Sequence, residues 1–282
     1  MGRRSSGEWR VRTGAVITGG AGGLGIATAR VLRARGLEVW LADLDAERTA
    51  TAAAMLGEGV HAVTLDVTDA AACRAVAREV DAACGLAVWI NNAGILRTGP
   101  TWGHPPGEIA ALFDVNVHGT INGTFAALEV LRGAGTGRVV NVVSLAGLVA
   151  PPGEAMYAAT KHAALAFTLG TAQDLRLAKV RGVRLTAVCP DGIWTPMLAE
   201  RLDDPQAALS FQGGLLSAEE VAAAIGGALD SRAAVISVPR WRGGVARLYA
   251  TAPRVALALG PLVAWQARAK QRRFARRQRS GG

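Results

Sequence analysis

Short runs of β-branched and apolar residues recur at 14–18, 37–43, 60–65, 86–91, 138–143, 183–189 and 233–238. They are apolar throughout rather than at alternate positions, the pattern of a parallel sheet with helices on both faces. Between them lie alanine-rich stretches of helical length, such as 23–35, 69–83, 108–132 and 155–179. Strand therefore alternates with helix, and the pattern predicts an α/β fold, a doubly wound parallel sheet of seven strands in a single domain. Ser217 and Glu220 have capping-box spacing ahead of a helix at 218–229, and Asp45 is placed to cap the helix after the second strand.

The pattern changes after Trp241. Residues 247–265 carry apolar side chains at helical spacing (Leu248, Ala252, Val255, Leu259, Leu262) and then give way to a basic run. The chain thus divides into an N-terminus at 1–12, a main domain at 13–241, and an amphipathic helix with a basic tail at 242–282. The longest uncharged run of that tail, 255–266, is too short to cross a bilayer and contains Pro261. Two readings of the tail stand side by side: a helix docked on its own or a neighbouring subunit, and a helix lying on an anionic membrane.

Charge changes this picture little. Of the formal net charge of +9, seven positive charges fall at 266–279, which leaves the main domain nearly neutral. The basic run holds only Phe274 as an aromatic, so no nucleic acid partner is expected. Cys73, Cys84 and Cys189 have neither disulfide-framework nor metal-ligand spacing, and the first twelve residues lack the apolar stretch of a secretory signal. A cytoplasmic protein is expected, with a membrane surface as the one alternative contact.

Chemistry enters with the turn after the first strand, Thr18-Gly19-Gly20-Ala21-Gly22-Gly23-Leu24-Gly25, which runs into a helix. Glycines allow a tight turn and a close backbone approach to a pyrophosphate, and the helix N-terminus offers it unpaired N–H groups. This is the Rossmann-type arrangement. Asp43 ends the second strand 24 residues beyond Gly19, near the spacing at which a carboxylate meets an adenosine ribose and repels a 2′-phosphate. NAD is expected over NADP, unless Asp43 instead shares the capping role with Asp45. Ser144 is followed by Tyr157 and Lys161, four apart on one helical face, where an ammonium can favour a phenolate and a hydroxyl can orient a substrate oxygen. His104, His118 and His162 are scattered and suggest no metal site.

In combination these motifs resemble the short-chain dehydrogenase/reductase family in its short, single-domain form, from about Thr13 to Pro239. Thr18-Gly19, Gly23, Leu24 and Gly25 are similar to the family's cofactor turn, Asp66-Val67 to its adenine-contacting pair, and Asn91-Asn92-Ala93-Gly94 to the segment that supports the sheet and borders the cofactor. The resemblance implies Asn116, Ser144, Tyr157 and Lys161 as the catalytic set. Tyr157 would exchange the substrate proton, Ser144 would polarise its oxygen, Lys161 would lower the tyrosine pKa and hold the nicotinamide ribose, and Asn116 would anchor a water chain. No metal is required. Pro190, Ile193 and Thr195 fall where the family contacts the nicotinamide end, although Asp191 stands where a glycine is usual.

The implied function is interconversion of a secondary alcohol and a ketone with NAD(H), in a homodimer or homotetramer joined through the helices of Asn116 and Tyr157. Substrate shape would be set by 95–98, 145–154 and a lid at 195–216 bearing Met197, Leu198, Leu202 and Phe211, beside Trp194. Those side chains suit an apolar small-molecule substrate or simply pack the lid. A non-catalytic NAD-binding sensor on the same fold is the alternative.

Overall fold

The computed structural model describes residues 12–280. Its strands are β1 (Gly14–Thr18), β2 (Glu38–Asp43), β3 (Val60–Thr64), β4 (Leu86–Asn91), β5 (Gly137–Val142), β6 (Val183–Pro190) and β7 (Val235–Val238). They form one parallel sheet in the order β3-β2-β1-β4-β5-β6-β7. The main helices are α1 (Gly23–Ala34), α2 (Ala46–Leu56), α3 (Ala70–Cys84), α4 (Pro106–Phe113), α5 (Gly119–Ala134) and α6 (Ala155–Leu177). The short α7 (Pro196–Ala199), then α8 (Ala218–Ala228), α9 (Arg240–Thr251) and α10 (Pro253–Ser280) complete the set.

The apolar runs are explained by burial on both faces: all five residues of β1 are buried. Ala15 and Ile17 pack with Leu32, Leu41 and Ile225 on one side, and Val16 packs with Val80, Trp89 and Leu131 on the other. Helix α1 lies against α8 on the first face and α3 against α5 on the second. The strand order reverses at β1, which has β2 on one side and β4 on the other. Crossovers therefore leave in opposite directions and a crevice opens at the carboxyl ends of β1 and β4.

Caps fall where the residues place them. Asp45 accepts from the Arg48 amide at 3.0 Å, and Ser217 and Glu220 form the reciprocal capping box of α8. The stretch at 108–132 is not one regular helix: a π-helical turn, Asp114–His118, separates α4 from α5. No proline or glycine within that turn marks it in the sequence, and it buries Asn116 completely.

The tail is part of the body. Helix α9 begins at Arg240, before the expected boundary at 241/242, and Ala252 leaves helical geometry, so that Pro253 starts a new helix. The distal half of α10 packs on the 3-10 helix Pro205–Phe211, burying Ala267, Gln271 and Ala275. Among the described residues no single helix is long and apolar enough to cross a membrane.

Candidate active site

Between β1 and α1 the chain reverses within residues 19–22. Gly19 does so at φ +63°, and a side chain there would lie 2.9 Å from Ala93 Cα. A Cβ on Gly25 would come 2.5 Å from the Gly19 carbonyl oxygen, so glycine lets the first turn of α1 sit on the loop. Gly23 is different. A Cβ there would meet only Thr195 Cγ2 at 3.8 Å and Pro196 Cδ, so its missing side chain opens the crevice itself. The N-cap Gly22 provides no side-chain cap and the first turn of α1 has no acid, which leaves its N–H groups and dipole for an anion. This cradle fits a dinucleotide pyrophosphate.

Asp43 Oδ2 accepts from the Ala21 amide at 3.1 Å, which braces the turn from β2. Capping of α2 falls to Asp45, so Asp43 is left with its carboxylate at the crevice wall. Asp66 accepts from the Thr68 amide and hydroxyl, both at 2.8 Å, beside the buried Val67. Thr18 Oγ1 accepts from the amides of Asn92 (3.1 Å) and Ala93 (3.0 Å), and Asn92 Nδ2 donates to the carbonyls of Thr18 and Gly19, both at 3.0 Å. Asn91 instead sits in the core, donating to Thr124, Asn141 and the Thr120 carbonyl.

Tyr157 and Lys161 lie one turn apart on α6. The Ser144 hydroxyl accepts from the Ala146 amide at 3.0 Å and lies near enough to the Tyr157 phenol to favour its ionised form. Close approach of the Ser144 loop to α6 requires Gly147, where a Cβ would lie 2.9 Å from the Lys161 carbonyl oxygen. Lys161 is 5 % exposed, donates to the Val142 carbonyl at 3.2 Å, and holds Nζ 5.6 Å from the Tyr157 ring centroid. Asn116 accepts from the Ile95 amide (2.8 Å) and donates to the Ile95 carbonyl (2.9 Å) and to Thr160 Oγ1 (3.1 Å). It thereby ties the loop after β4 to the turn of α6 that carries Lys161.

The sequence reading expects Lys161 to hold the phenol low. In the structure burial dominates: it pushes the Tyr157 phenol above its ordinary value, the Glu154 carboxylate pushes further, and the Ser144 hydrogen bond pulls back. The amine lies over the ring rather than at the hydroxyl, and burial pushes it down to about 8.

Two partners of the site escape the motifs. Glu154, 3 % exposed and one turn before Tyr157, accepts from Ser210 Oγ at 2.6 Å and is raised to about 7, first by burial and further by Asp191 and Asp204. Arg242 on α9 pairs with Asp191 at 2.7 Å. Asp191 does not adopt positive φ, so the conformational demand that a glycine here would imply is absent, and the carboxylate is neutralised from the C-terminal segment. Neither pairing has a sequence signal, because each joins elements distant along the chain.

Fifteen of the eighteen expected site residues line one crevice of about 800 Å³, Pro190, Ile193 and Thr195 among them with Tyr157. Thr18, Gly25 and Asn116 do not line it and support it from behind. On the lid, Met197 and Leu198 reach the crevice, whereas Trp194, Leu202 and Phe211 pack with Phe274 of α10. His104 and His118 pair with Glu108 and Asp114, at 3.2 and 3.1 Å.

The short chain dehydrogenase family model matches residues 13–206. Cyclopentanol dehydrogenase of Comamonas testosteroni is 36% identical over 208 residues, covering 71% of this chain and 81% of that enzyme. The 3-alpha-(or 20-beta)-hydroxysteroid dehydrogenase of Mycobacterium tuberculosis is 35% identical over 184 residues, 65% of this chain and 70% of that one. A crystal structure of a short chain dehydrogenase/reductase from Burkholderia phymatum in complex with NAD superposes with a TM-score of 0.78 at 29% identity, over 88% of this chain and 96% of that one. With the nucleotide cradle, the Ser-Tyr-Lys cluster and the sheet order all in place, the chain belongs to the short-chain dehydrogenase family of oxidoreductases.

Proposed function

We propose that this chain interconverts an apolar secondary alcohol and its ketone with NAD(H), Tyr157 carrying the proton. The observation that carries the reading is the convergence of Tyr157, Ser144 and Lys161 on one wall of the crevice whose other end is the uncapped start of α1. Gly19, Gly22 and Gly23 would receive the pyrophosphate, Asp43 the adenosine ribose, and Ile193 and Thr195 the nicotinamide end. The nicotinamide, when bound, supplies or accepts the hydride.

Tyr157 gives its proton to the ketone oxygen in reduction, from the neutral phenol that burial favours, and takes the hydroxyl proton in oxidation, for which bound cofactor must first favour the phenolate. Ser144 polarises the same oxygen, and Lys161, with one donor on Val142, has two more for a ribose hydroxyl. Asn116 is a positioning residue: it fixes Ile95 and the Lys161 turn. The names of the cyclopentanol and hydroxysteroid relatives support an apolar, ring-bearing alcohol or ketone as substrate. Val149, Met197, Leu198 and Val245 on the crevice wall suit such a body. Assembly as a homodimer or homotetramer through α5 and α6 fits the exposed Phe125, which meets Phe167 edge-on at 5.8 Å on that face.

A spectrophotometric screen of NADH and NADPH against cyclic ketones tests this reading. Turnover is expected with NADH, and Tyr157→Phe is expected to lose at least about 100-fold in kcat while still binding NADH. A variant that keeps its rate, or a natural chain that binds NADH without turning over any ketone, would favour the sensor. Asp43→Ser removes one carboxylate and leaves Arg48 and Asp66 as the charged side chains lining that end of the crevice. The NADH-over-NADPH preference in kcat/KM is expected to fall at least about tenfold, and an unchanged ratio would remove Asp43 from cofactor selection.

Glu154 supplies a pH signature. Its folded pKa, about 7, lies above the ordinary 4.5, so the folded chain favours the protonated carboxyl. The stability from that preference is fully present below 4.5 and lost as pH rises through about 7. Glu154→Gln has no such titration. Its melting temperature relative to the natural chain is expected to rise between about pH 5 and about pH 8, and a flat difference would show that Glu154 titrates normally.

A further inference from the structure

Fourteen large apolar side chains are exposed among the described residues, and eight of them fall between Trp241 and Trp265. Six of the eight are valine or leucine and two are tryptophan. Trp241, Leu257 and Trp265 are 65%, 79% and 68% exposed. Scattered apolar residues on a surface are ordinary, but so many in twenty-five residues mark a face that something covers.

The face has an anatomy. In the distal half of α10, Gln271 Nε2 donates to the carbonyls of Arg201 (3.2 Å) and Asp204 (2.8 Å), and Phe274 stands edge-on to Trp194 at 4.9 Å. That half is docked on the body of its own subunit. The proximal half, which includes Val255, Leu257, Leu259 and Leu262, has no such seat, and its exposed residues are apolar apart from Arg254 and Gln266. Helices α9 and α10 meet at a bend of 119°, so they do not form one straight rod. Tyr249, Gly260 and Val263 wall the crevice, and Val245, half exposed, stands at its edge between the crevice and the open face.

Charge selects what covers the face. From Arg240 to the C-terminus there are eleven basic residues and no acidic one. The ion pairs Arg242–Asp191 and Arg279–Asp203 engage two of them with acids from the body. A second copy meeting this face with the same face would set two strongly cationic segments against each other, which like-charge repulsion opposes. An anionic bilayer answers both features, because its phosphates attract arginine and its headgroup–acyl boundary accepts leucine, valine and tryptophan.

We infer that α9 and the proximal half of α10 dock this enzyme on the surface of an anionic lipid bilayer, with the mouth of the crevice toward the lipid. An apolar alcohol or ketone then enters from the bilayer. That last point rests on the substrate class proposed above, whereas the docking itself does not.

Co-sedimentation of the full chain with vesicles tests the docking without substrate or cofactor. Vesicles of phosphatidylcholine with about one-third phosphatidylglycerol are expected to pellet the protein at about 0.1 M salt, at least tenfold more than phosphatidylcholine alone, with most of the binding lost at about 0.5 M. Leu257→Glu with Leu262→Glu is expected to abolish pelleting and leave the melting temperature unchanged, since both side chains are more than half exposed and neither lines the crevice. Leu257→Ser with Leu262→Ser repeats the test without added charge should the first variant fail to fold.

Failure of the natural chain to pellet with the anionic vesicles would overturn the inference. So would variants that pellet as well as it does, which would leave charge alone as the cause. A third overturning result is light scattering in which the folded variant dissociates an oligomer while no vesicle binding is seen, because a second copy would then be the occupant. Vesicle binding without turnover of any ketone would sink only the substrate reading.

Discussion

One buried hydroxyl holds the two strand ends between which the site opens. Thr18 Oγ1 accepts the amides of Asn92 and Ala93 at the end of β4, and Asn92 returns two hydrogen bonds to the end of β1. The sheet order reverses at this seam, so without that tie the strand ends would have only their ladder to hold them in register. Gly19 passes against Ala93, Gly94 brings the loop beside Asn116 and Lys161, and Asn116 carries the register onward to α6. A chain of short contacts thus connects the nucleotide cradle to Tyr157.

The ionisable groups of the site are buried, and burial sets the direction in which each titrates. Burial raises the phenol of Tyr157, lowers the amine of Lys161 to about 8 and raises Glu154 to about 7, so each is biased toward its neutral form. The lid takes part: Ser210 donates to Glu154, Thr98 donates to Asp204, and Phe274 of α10 packs against Trp194 and Phe211. The C-terminal helices therefore belong to the site as much as the sheet does.

The fold was legible in the sequence because its strongest signals are steric and local. Continuous apolar strands report two covered faces, and the glycines of residues 19–25 report backbone contacts that no side chain permits. The Ser144, Tyr157 and Lys161 cluster was legible for the same reason, since a helical repeat and one loop suffice to bring it together. What escaped is long-range or hidden by composition. The π-turn at Asn116 has no breaker residue, and Glu154 reads as an ordinary helix-start acid until the lid is seen to bury it. The Asp191–Arg242 pair joins a loop to a segment that looked like a separate tail. Trp194, Leu202 and Phe211 had two readings, and only the presence of Phe274 decides for packing.

The central claim is that a dinucleotide lies across the carboxyl ends of β1 and β4 with its reactive end against Tyr157 and Lys161. A crystal structure of the chain grown with NADH tests it most directly. The account predicts a pyrophosphate on the first turn of α1 and a nicotinamide ring between Ile193 and the Tyr157 hydroxyl. Density for the nucleotide elsewhere on the protein, or a nicotinamide turned away from Tyr157, would contradict it.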